Sequence, residues 1–269
     1  MAKVYVFMPA RNEEENLPKC LENLLGQTLR PQKILVINDA STDGTQRVCD
    51  QFGVSVVNLT EQHENYVTTP GLAYKLAKVI NHAFPPPLSC EYMMQHSPDM
   101  TIPPDYIEGL TTLMKRDPRL VIASGRIEGE YSRENHPRGA GRICKTWFWT
   151  KHIKKLPLSY TYETYPLLKA QSLGLKVQCV YDYVMTTSRP TRQYKANYGY
   201  AMRELGYLLP YVLGKCVLGL PKAKTKVLRL LYSYLTSPYK LEDPGLKRFM
   251  KYYQAKQFMN LRALVNLLK

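Results

Sequence analysis

The sequence predicts an α/β domain, a mostly parallel sheet flanked by helices, followed by a basic helical C-terminal region. Short runs that are apolar throughout, such as Ile34-Leu35-Val36-Ile37, recur along the first 180 residues; strands buried on both faces read this way. Between them lie segments with apolar residues at helical spacing, and the alternation of the two is the signature of a parallel sheet. From about residue 191 the character changes to basic, Tyr-rich and helical.

The elements follow in order. Residues 3–8 read as a buried strand, and Asn16 with Pro18 opens a helix whose Leu17, Leu21, Leu24 and Leu25 share one face. Residues 33–37 give a second strand, the turn-rich NDASTDGT and a helix over 44–52 come next, and 54–59 gives a third strand. A helix over 71–83, a strand at 91–94, a helix from about Pro104 and a strand at 121–127 continue the pattern. Gly139-Ala140-Gly141 then leads into a helix carrying Trp147 and Trp149, a helix covers 162–173, and 175–180 is a further strand. These readings divide the chain into a domain over 1–190 and a helical region over 191–269.

With 269 residues, 45% of them apolar, the chain can bury a large core, which argues against global disorder. Six cysteines are scattered, the closest two separated by 28 residues, so no zinc-ribbon or CxxC spacing exists and free thiols in a reducing compartment are expected. The N-terminus runs from a single lysine into a strand with no signal-peptide pattern, so the expected location is cytoplasmic. The formal charge is +15, and residues 203–269 hold 13 Lys and Arg against three Asp and Glu, a net of +10. Such a region suits acidic partners, including an anionic membrane surface. The apolar run at 205–220 is broken by Pro210 and falls short of the ~20 residues a spanning helix needs; the later basic segments read as amphipathic, packed on the domain or peripheral at a membrane.

In an open parallel sheet, ligands bind outside the carboxyl ends of the strands. Four polar clusters fall there: Pro9-Ala10-Arg11-Asn12-Glu13, Asn38-Asp39-Ala40-Ser41-Thr42-Asp43, Ser97-Pro98-Asp99, and Glu163 at a helix start. Neither GxGxxG nor GxxxxGK[ST] is present, which excludes the dinucleotide and P-loop fingerprints. Taken singly, Asp39 and Asp43 suit turn or cap roles, and Asp105 suits a first helical turn.

Together the clusters say more. The 37-residue stretch PARNEEENLPKCLENLLGQTLRPQKILVINDASTDGT resembles the opening of glycosyltransferase family 2, nucleotide-diphospho-sugar transferases of the GT-A fold, and the sequence to about 182 follows the family more loosely. The resemblance implies a GT-A domain and a nucleoside held by Pro9, Arg11, Glu13 and Asp39, with Asn38 replacing the first of the family's paired acids. A carboxylate suits this because it accepts the imide N–H of a uracil-like base. Counting back from Pro104-Asp105-Tyr106, Asp99 falls on the last acid of the family's D-x-D metal pattern and Ser97 on its first. One acid is chemically sufficient for Mg²⁺ or Mn²⁺ when a diphosphate supplies further oxygens, and His96 is the alternative ligand weighed beside it.

Counting back from Gly174, Glu163 falls where the family keeps the base of an inverting transfer, with capping beside Thr161 as the competing role. Arg189 and Arg192 stand where family members keep basic residues over the leaving diphosphate, with an ordinary surface loop as the competing role. The implied reaction moves a sugar from a nucleoside-diphosphate-sugar to a sugar or lipid-linked acceptor, and the basic, amphipathic C-terminus suggests a lipid-linked one at the cytoplasmic membrane face. Two alternatives stay open: a transferase-like domain that binds nucleotide without activity, and a basic RNA-binding protein. The second has no recognisable nucleic-acid module to support it, and acidic loops would repel a nucleic-acid backbone.

Overall fold

A computed structural model of the protein describes residues 2–60, 73–86, 89–189, 198–219, 224–238 and 241–267. The elements run β1 (Val4–Ala10), α1 (Leu17–Leu25), β2 (Lys33–Asn38), α2 (Thr45–Phe52), β3 (Ser55–Asn58), α3 (Ala73–Ile80), β4 (Tyr92–Gln95) and β5 (Met100–Thr101). There follow α4 (Tyr106–Arg116), β6 (Leu120–Ile127), β7 (Arg142–Lys145), α5 (Thr146–Phe148), α6 (Tyr165–Ser172) and β8 (Lys176–Thr187). The C-terminal region is helical: α7 (Tyr198–Glu204), α8 (Leu209–Gly219), α9 (Lys224–Leu235) and α10 (Pro244–Leu267).

The strands form a mixed sheet in the order β3-β2-β1-β4-β7-β6-β8-β5. The pairs β3–β2, β2–β1, β1–β4 and β6–β8 are parallel, whereas β7 runs against both β4 and β6. Two reversals restore direction, so β6 and β8 point the same way as β4. The carboxyl ends of β1, β2, β4 and β6 therefore share one edge with the start of β7 and with the start of α6, which returns the chain to the foot of β8.

Both faces of the sheet are covered. Successive side chains of a strand point to opposite faces, and β1 shows it: Val4, Val6, Met8 and Ala10 pack with Leu17, Leu21, Leu24 and Ile107, while Tyr5 and Phe7 pack with Ala77, Ile80, Phe148 and Leu167. The C-terminal helices have apolar clusters of their own, one joining Met202, Val212 and Tyr234, the other joining Leu205, Leu241, Leu246 and Met250. No helix among the described residues is long and apolar enough to cross a membrane.

The structure departs from the sequence reading in three places. β7 precedes the Trp147 segment, and it was hidden because it is four residues long with a charge at each end. Those charges are nonetheless buried: Lys145 Nζ donates to the carbonyls of Asp117 and Pro118 at 3.2 and 3.1 Å. Strand β8 continues to Thr187 rather than ending at 180, through a register shift opposite Gly125 and Arg126. The helix expected over 162–173 begins at Tyr165, so Glu163 stands in the preceding turn. Pro166, which has no N–H to donate, fits only a first helical turn and fixes that start. The 71–83 segment is described from Ala73, which opens α3, and all six cysteines are free and buried.

Candidate active site

The loops after β1 and β2 are tied to each other. Asn12 and Ala40 adopt φ of 51° and 50°, a conformation that asparagine tolerates and that costs an alanine about 1 kcal/mol. Asn12 N–H donates to Ser41 Oγ at 3.0 Å and Asn12 Oδ1 accepts from Thr42 N–H at 2.9 Å. Asp43 Oδ2 accepts from Glu14 N–H and its Oδ1 from Thr45 N–H, each at 3.0 Å. Burial alone would raise the Asp43 pKa, but the bonds from the Thr45 hydroxyl and from these backbone N–H groups outweigh it and hold the carboxyl below its usual range. Asp43 thus shapes the loop pair, a role open to it as a turn residue.

Asp39 lies fully buried between these loops, its N–H bonded to Ala10 O at 2.9 Å. Asn38, beside it, donates from Nδ2 to Asn58 Oδ1 at 2.8 Å and accepts from Ser41 N–H at 3.1 Å, so the amide links β2, β3 and the turn. Pro9 lies within β1, paired with Ile37, and Arg11 follows it with Nη1 enclosed and without a hydrogen-bond partner among the described residues. The buried Glu13 carboxylate is ion-paired through Oε2 with Arg189, and the same oxygen accepts from Asn16 Nδ2 at 3.0 Å. Burial raises the Glu13 pKa, while Arg189 and Asn16 pull it back. Asn16 does not cap α1 as its position suggests; its Oδ1 accepts from Ser188 Oγ at 2.7 Å, joining the β1 loop to the end of β8. Arg192 lies outside the described residues.

Asp99 stands at the turn between β4 and β5. Its Oδ1 accepts from Ser97 Oγ at 2.5 Å and its Oδ2 from Thr187 Oγ1 at 3.2 Å, while its carbonyl accepts from Ser188 N–H at 2.9 Å. Pairing of Met100 with Thr187 fixes this junction. Ser97 therefore orients the one acid it leaves in place. His96 is fully buried, and burial drives its pKa down to about 4 against the opposing effects of the Met100 backbone and Asp99, so the ring is neutral. The described residues contain no group of three or more His, Cys, Asp or Glu able to cage a metal. The donor set at Asp99, one carboxylate among hydroxyls, fits a hard cation that takes its remaining ligands from phosphate oxygens. A cleft of about 110 Å³ opens beside Asp99, lined by Asn16, Lys19, Cys20, Thr187 and Ser188 among others. It is far smaller than the 300–1,000 Å³ of ordinary ligand pockets.

Glu163 reaches the same edge through Arg142, a residue the sequence reading did not single out. Arg142 pairs with Gln95, four positions before Asp99, and is buried. Its Nη1 donates to the Glu163 carbonyl at 2.9 Å, its Nε to Arg138 O at 3.1 Å, and its Nη2 to Pro137 O at 2.8 Å, with Glu163 Oε1 at 3.9 Å. The Glu163 side chain is 50% exposed. A Cβ on Gly139 would meet Glu163 Oε1 at 2.1 Å, so the carboxylate leans on a position that only glycine leaves open. Capping does not explain Glu163, since α6 has no side-chain cap bond. The clue to Arg142 was present: an arginine directly before Ile-Cys in a short apolar run, following two glycines. Tyr106 completes the support, with Oη donating to Gly141 O and accepting from Gly125 N–H, both at 2.7 Å.

The mixed sheet with helices on both faces is the architecture of the GT-A class of glycosyltransferases, which the solved structures below share. The chain belongs to this class by sequence as well: the glycosyl transferase family 2 model matches residues 5–174, more than half of it, and the chain is a member of that family. It is 40% identical over 50 residues to Streptococcus pneumoniae glycosyltransferase GlyA, and 32% identical over 84 residues to Staphylococcus haemolyticus 4,4'-diaponeurosporenoate glycosyltransferase. These matches cover 19% and 29% of the chain but only 7% and 22% of those relatives. Among solved structures, S. aureus TarS 1–349 aligns over 87% of this chain and 70% of its own, with a TM-score of 0.57 at 14% identity. The Pyrobaculum calidifontis mannosyltransferase PcManGT, in complex with GDP-Man and Mn²⁺, aligns over 97% and 80%, with a TM-score of 0.57 at 16% identity. The Mycobacterium tuberculosis glucosyl-3-phosphoglycerate synthase, in complex with Mn²⁺ and UDP-Glc, gives 0.54 over 76% of each chain at 15% identity.

Proposed function

We propose that the chain transfers a sugar from a nucleoside-diphosphate-sugar to an acceptor hydroxyl, with inversion at the anomeric carbon. The observation that carries this is the convergence on one sheet edge of Asp39, Asp99, Arg189 and Glu163, in a chain of this family. The donors named in the related complexes, UDP-Glc and GDP-Man, are of this chemical class.

Pro9, Arg11, Glu13 and Asp39 bind the nucleoside, the Asp39 carboxylate accepting a base N–H. Arg189 and Arg192 take the diphosphate; Arg189 stands beside Asp99 through the Thr187 hydroxyl, whose oxygen accepts from Arg189 N–H at 3.2 Å. Asp99 would hold Mg²⁺ or Mn²⁺ together with donor oxygens, and such an ion, when bound, supplies positive charge against the leaving phosphate. Glu163 accepts the acceptor's hydroxyl proton as that oxygen bonds to the anomeric carbon. The bond from that carbon to the phosphate oxygen breaks, and the nucleoside diphosphate departs with the electron pair.

A division at residue 190 separates this transferase domain from the region that carries α7 to α10, whose helices present a membrane-facing surface toward a lipid-linked acceptor. Leu228, Tyr232 and Leu235 share one face of α9 and are each more than 60% exposed, and Leu209 and Leu213 are exposed on α8. Co-sedimentation with anionic vesicles should fall when Leu228 and Leu235 are both changed to serine; equal partitioning would remove the membrane role.

Calorimetric titration with a panel of UDP-, GDP- and dTDP-sugars tests the donor reading. At least one should bind, at least tenfold more tightly with Mg²⁺ or Mn²⁺ than with chelator, and Asp99→Ala should erase that difference. Binding indifferent to both would contradict the role of Asp99.

A further inference from the structure

Two carboxylates of the C-terminal helices reach back to the segment that carries Glu163. Glu204, the last residue of α7, is 1% exposed, and its Oε2 accepts from Thr161 N–H at 2.9 Å. The Thr161 carbonyl in turn accepts from Thr164 N–H at 3.0 Å and Tyr165 N–H at 2.8 Å. Thr161 is thus both the point gripped by Glu204 and the head of the turn that holds Glu163.

Asp243, just before α10, acts one turn further along. Its Oδ2 accepts from Lys169 Nζ at 2.7 Å and from Tyr165 Oη at 3.1 Å, while its Oδ1 accepts from Leu246 N–H at 2.9 Å. One side chain therefore caps α10 and pins α6. Leu205, Leu241, Leu246 and Met250 seal the contact against Tyr165 and Leu168. Opposite them, Arg142 holds the Glu163 carbonyl from the sheet. The Glu163 peptide is fixed between the sheet and the C-terminal helices.

A buried carboxylate is a costly way to satisfy one backbone N–H, since its charge is stripped of water. Burial raises the Glu204 pKa, and the bond from the Thr161 backbone N–H offsets this only in part.

We propose that the C-terminal helices complete the catalytic site, with Glu204 and Asp243 as positioning residues that set where the Glu163 carboxylate stands. This rests on Glu163 being the base. The test uses the full chain, with turnover read as nucleoside diphosphate released from the tightest-binding donor of the panel. Glu204→Ala should lower kcat about tenfold or more, with donor Kd within twofold of wild type. Glu204→Gln, which keeps an acceptor oxygen for Thr161 N–H, should restore kcat to within threefold. A Glu204→Ala kcat within twofold of wild type, in a background where Glu163→Gln is inactive, overturns the proposal alone. Full turnover by Glu163→Gln removes the base reading and this proposal with it. Should Glu204→Ala not fold, Asp243→Ala gives the same split: kcat reduced at least fivefold at unchanged donor Kd supports the proposal, and unchanged kcat overturns it.

Discussion

Glu13 and Arg189 form an ion pair across 176 positions of sequence, closing the loop after β1 against the end of β8. Glu13 is buried and Arg189 half exposed, so removing the arginine leaves an enclosed carboxylate with Asn16 as its remaining side-chain donor. Arg189→Ala should therefore cost about 1–2 kcal/mol, less than a fully buried pair because solvent screens the exposed partner. It should also weaken donor binding at least tenfold. Adding Glu13→Gln should restore stability without restoring the affinity lost with Arg189. Thermal unfolding and calorimetry on the two variants separate the effects; a double variant as unstable as Arg189→Ala would deny the pairing an energetic role.

Gly139 sets the space available to Glu163. The three atoms nearest a Cβ there belong to the Glu163 carboxyl and its adjoining methylene, the end of a flexible side chain that can move aside. Gly139→Ala should thus leave stability within about 0.5 kcal/mol of wild type while lowering turnover at least tenfold, because a displaced base loses reach to the reacting proton. Wild-type turnover in a folded Gly139→Ala protein would show that the carboxylate's present position is immaterial.

Tyr106, in the Pro104-Asp105-Tyr106 stretch that sets the register for Asp99, is fully buried, and its hydroxyl serves both Gly125 and Gly141. Tyr106→Phe strands a buried N–H and a buried carbonyl and should cost about 1–3 kcal/mol, with donor affinity retained. Denaturant unfolding measures this; a loss below 0.5 kcal/mol, on the scale of an ordinary surface change, would mean the two backbone groups find other partners.

Asp43 gives a pH signature. Its folded pKa lies below the ordinary 3.8, so the folded state binds the proton less tightly than the unfolded chain. Its contribution is full above the unfolded pKa and is lost as pH falls through the folded one. Asp43→Asn should be less stable than wild type by about 1 kcal/mol at pH 7, the scale of a lost helix cap, with the gap narrowing as pH falls below the ordinary carboxylate pKa of 3.8. A gap that does not narrow at all under acid would assign Asp43 no such role.

The parts of this molecule that could be read from sequence are those dictated locally. Strands such as Lys33–Asn38 are apolar throughout, and the turn after them is rich in Asx residues, so periodicity and turn chemistry agree. Asp99 could be singled out because Pro104-Asp105-Tyr106 lies five residues on. What remained hidden is set by distant pairing. Arg142 matters because antiparallel β7 brings it beside Gln95. Asn16 looked like a cap but ties Glu13 to Ser188. Glu204 reaches Thr161 across 43 positions, and a charge within a basic helical region gives no sign of its partner.

The most direct test of the central claim is release of nucleoside diphosphate from the sugar-nucleotide panel by wild type and Glu163→Gln, with donor affinity measured for both. Wild type should turn over at least one donor, and Glu163→Gln should lose 10²- to 10⁴-fold in turnover, the range for a general base, with donor affinity within twofold. No turnover of any donor by folded wild type, or undiminished turnover by Glu163→Gln, would contradict the account.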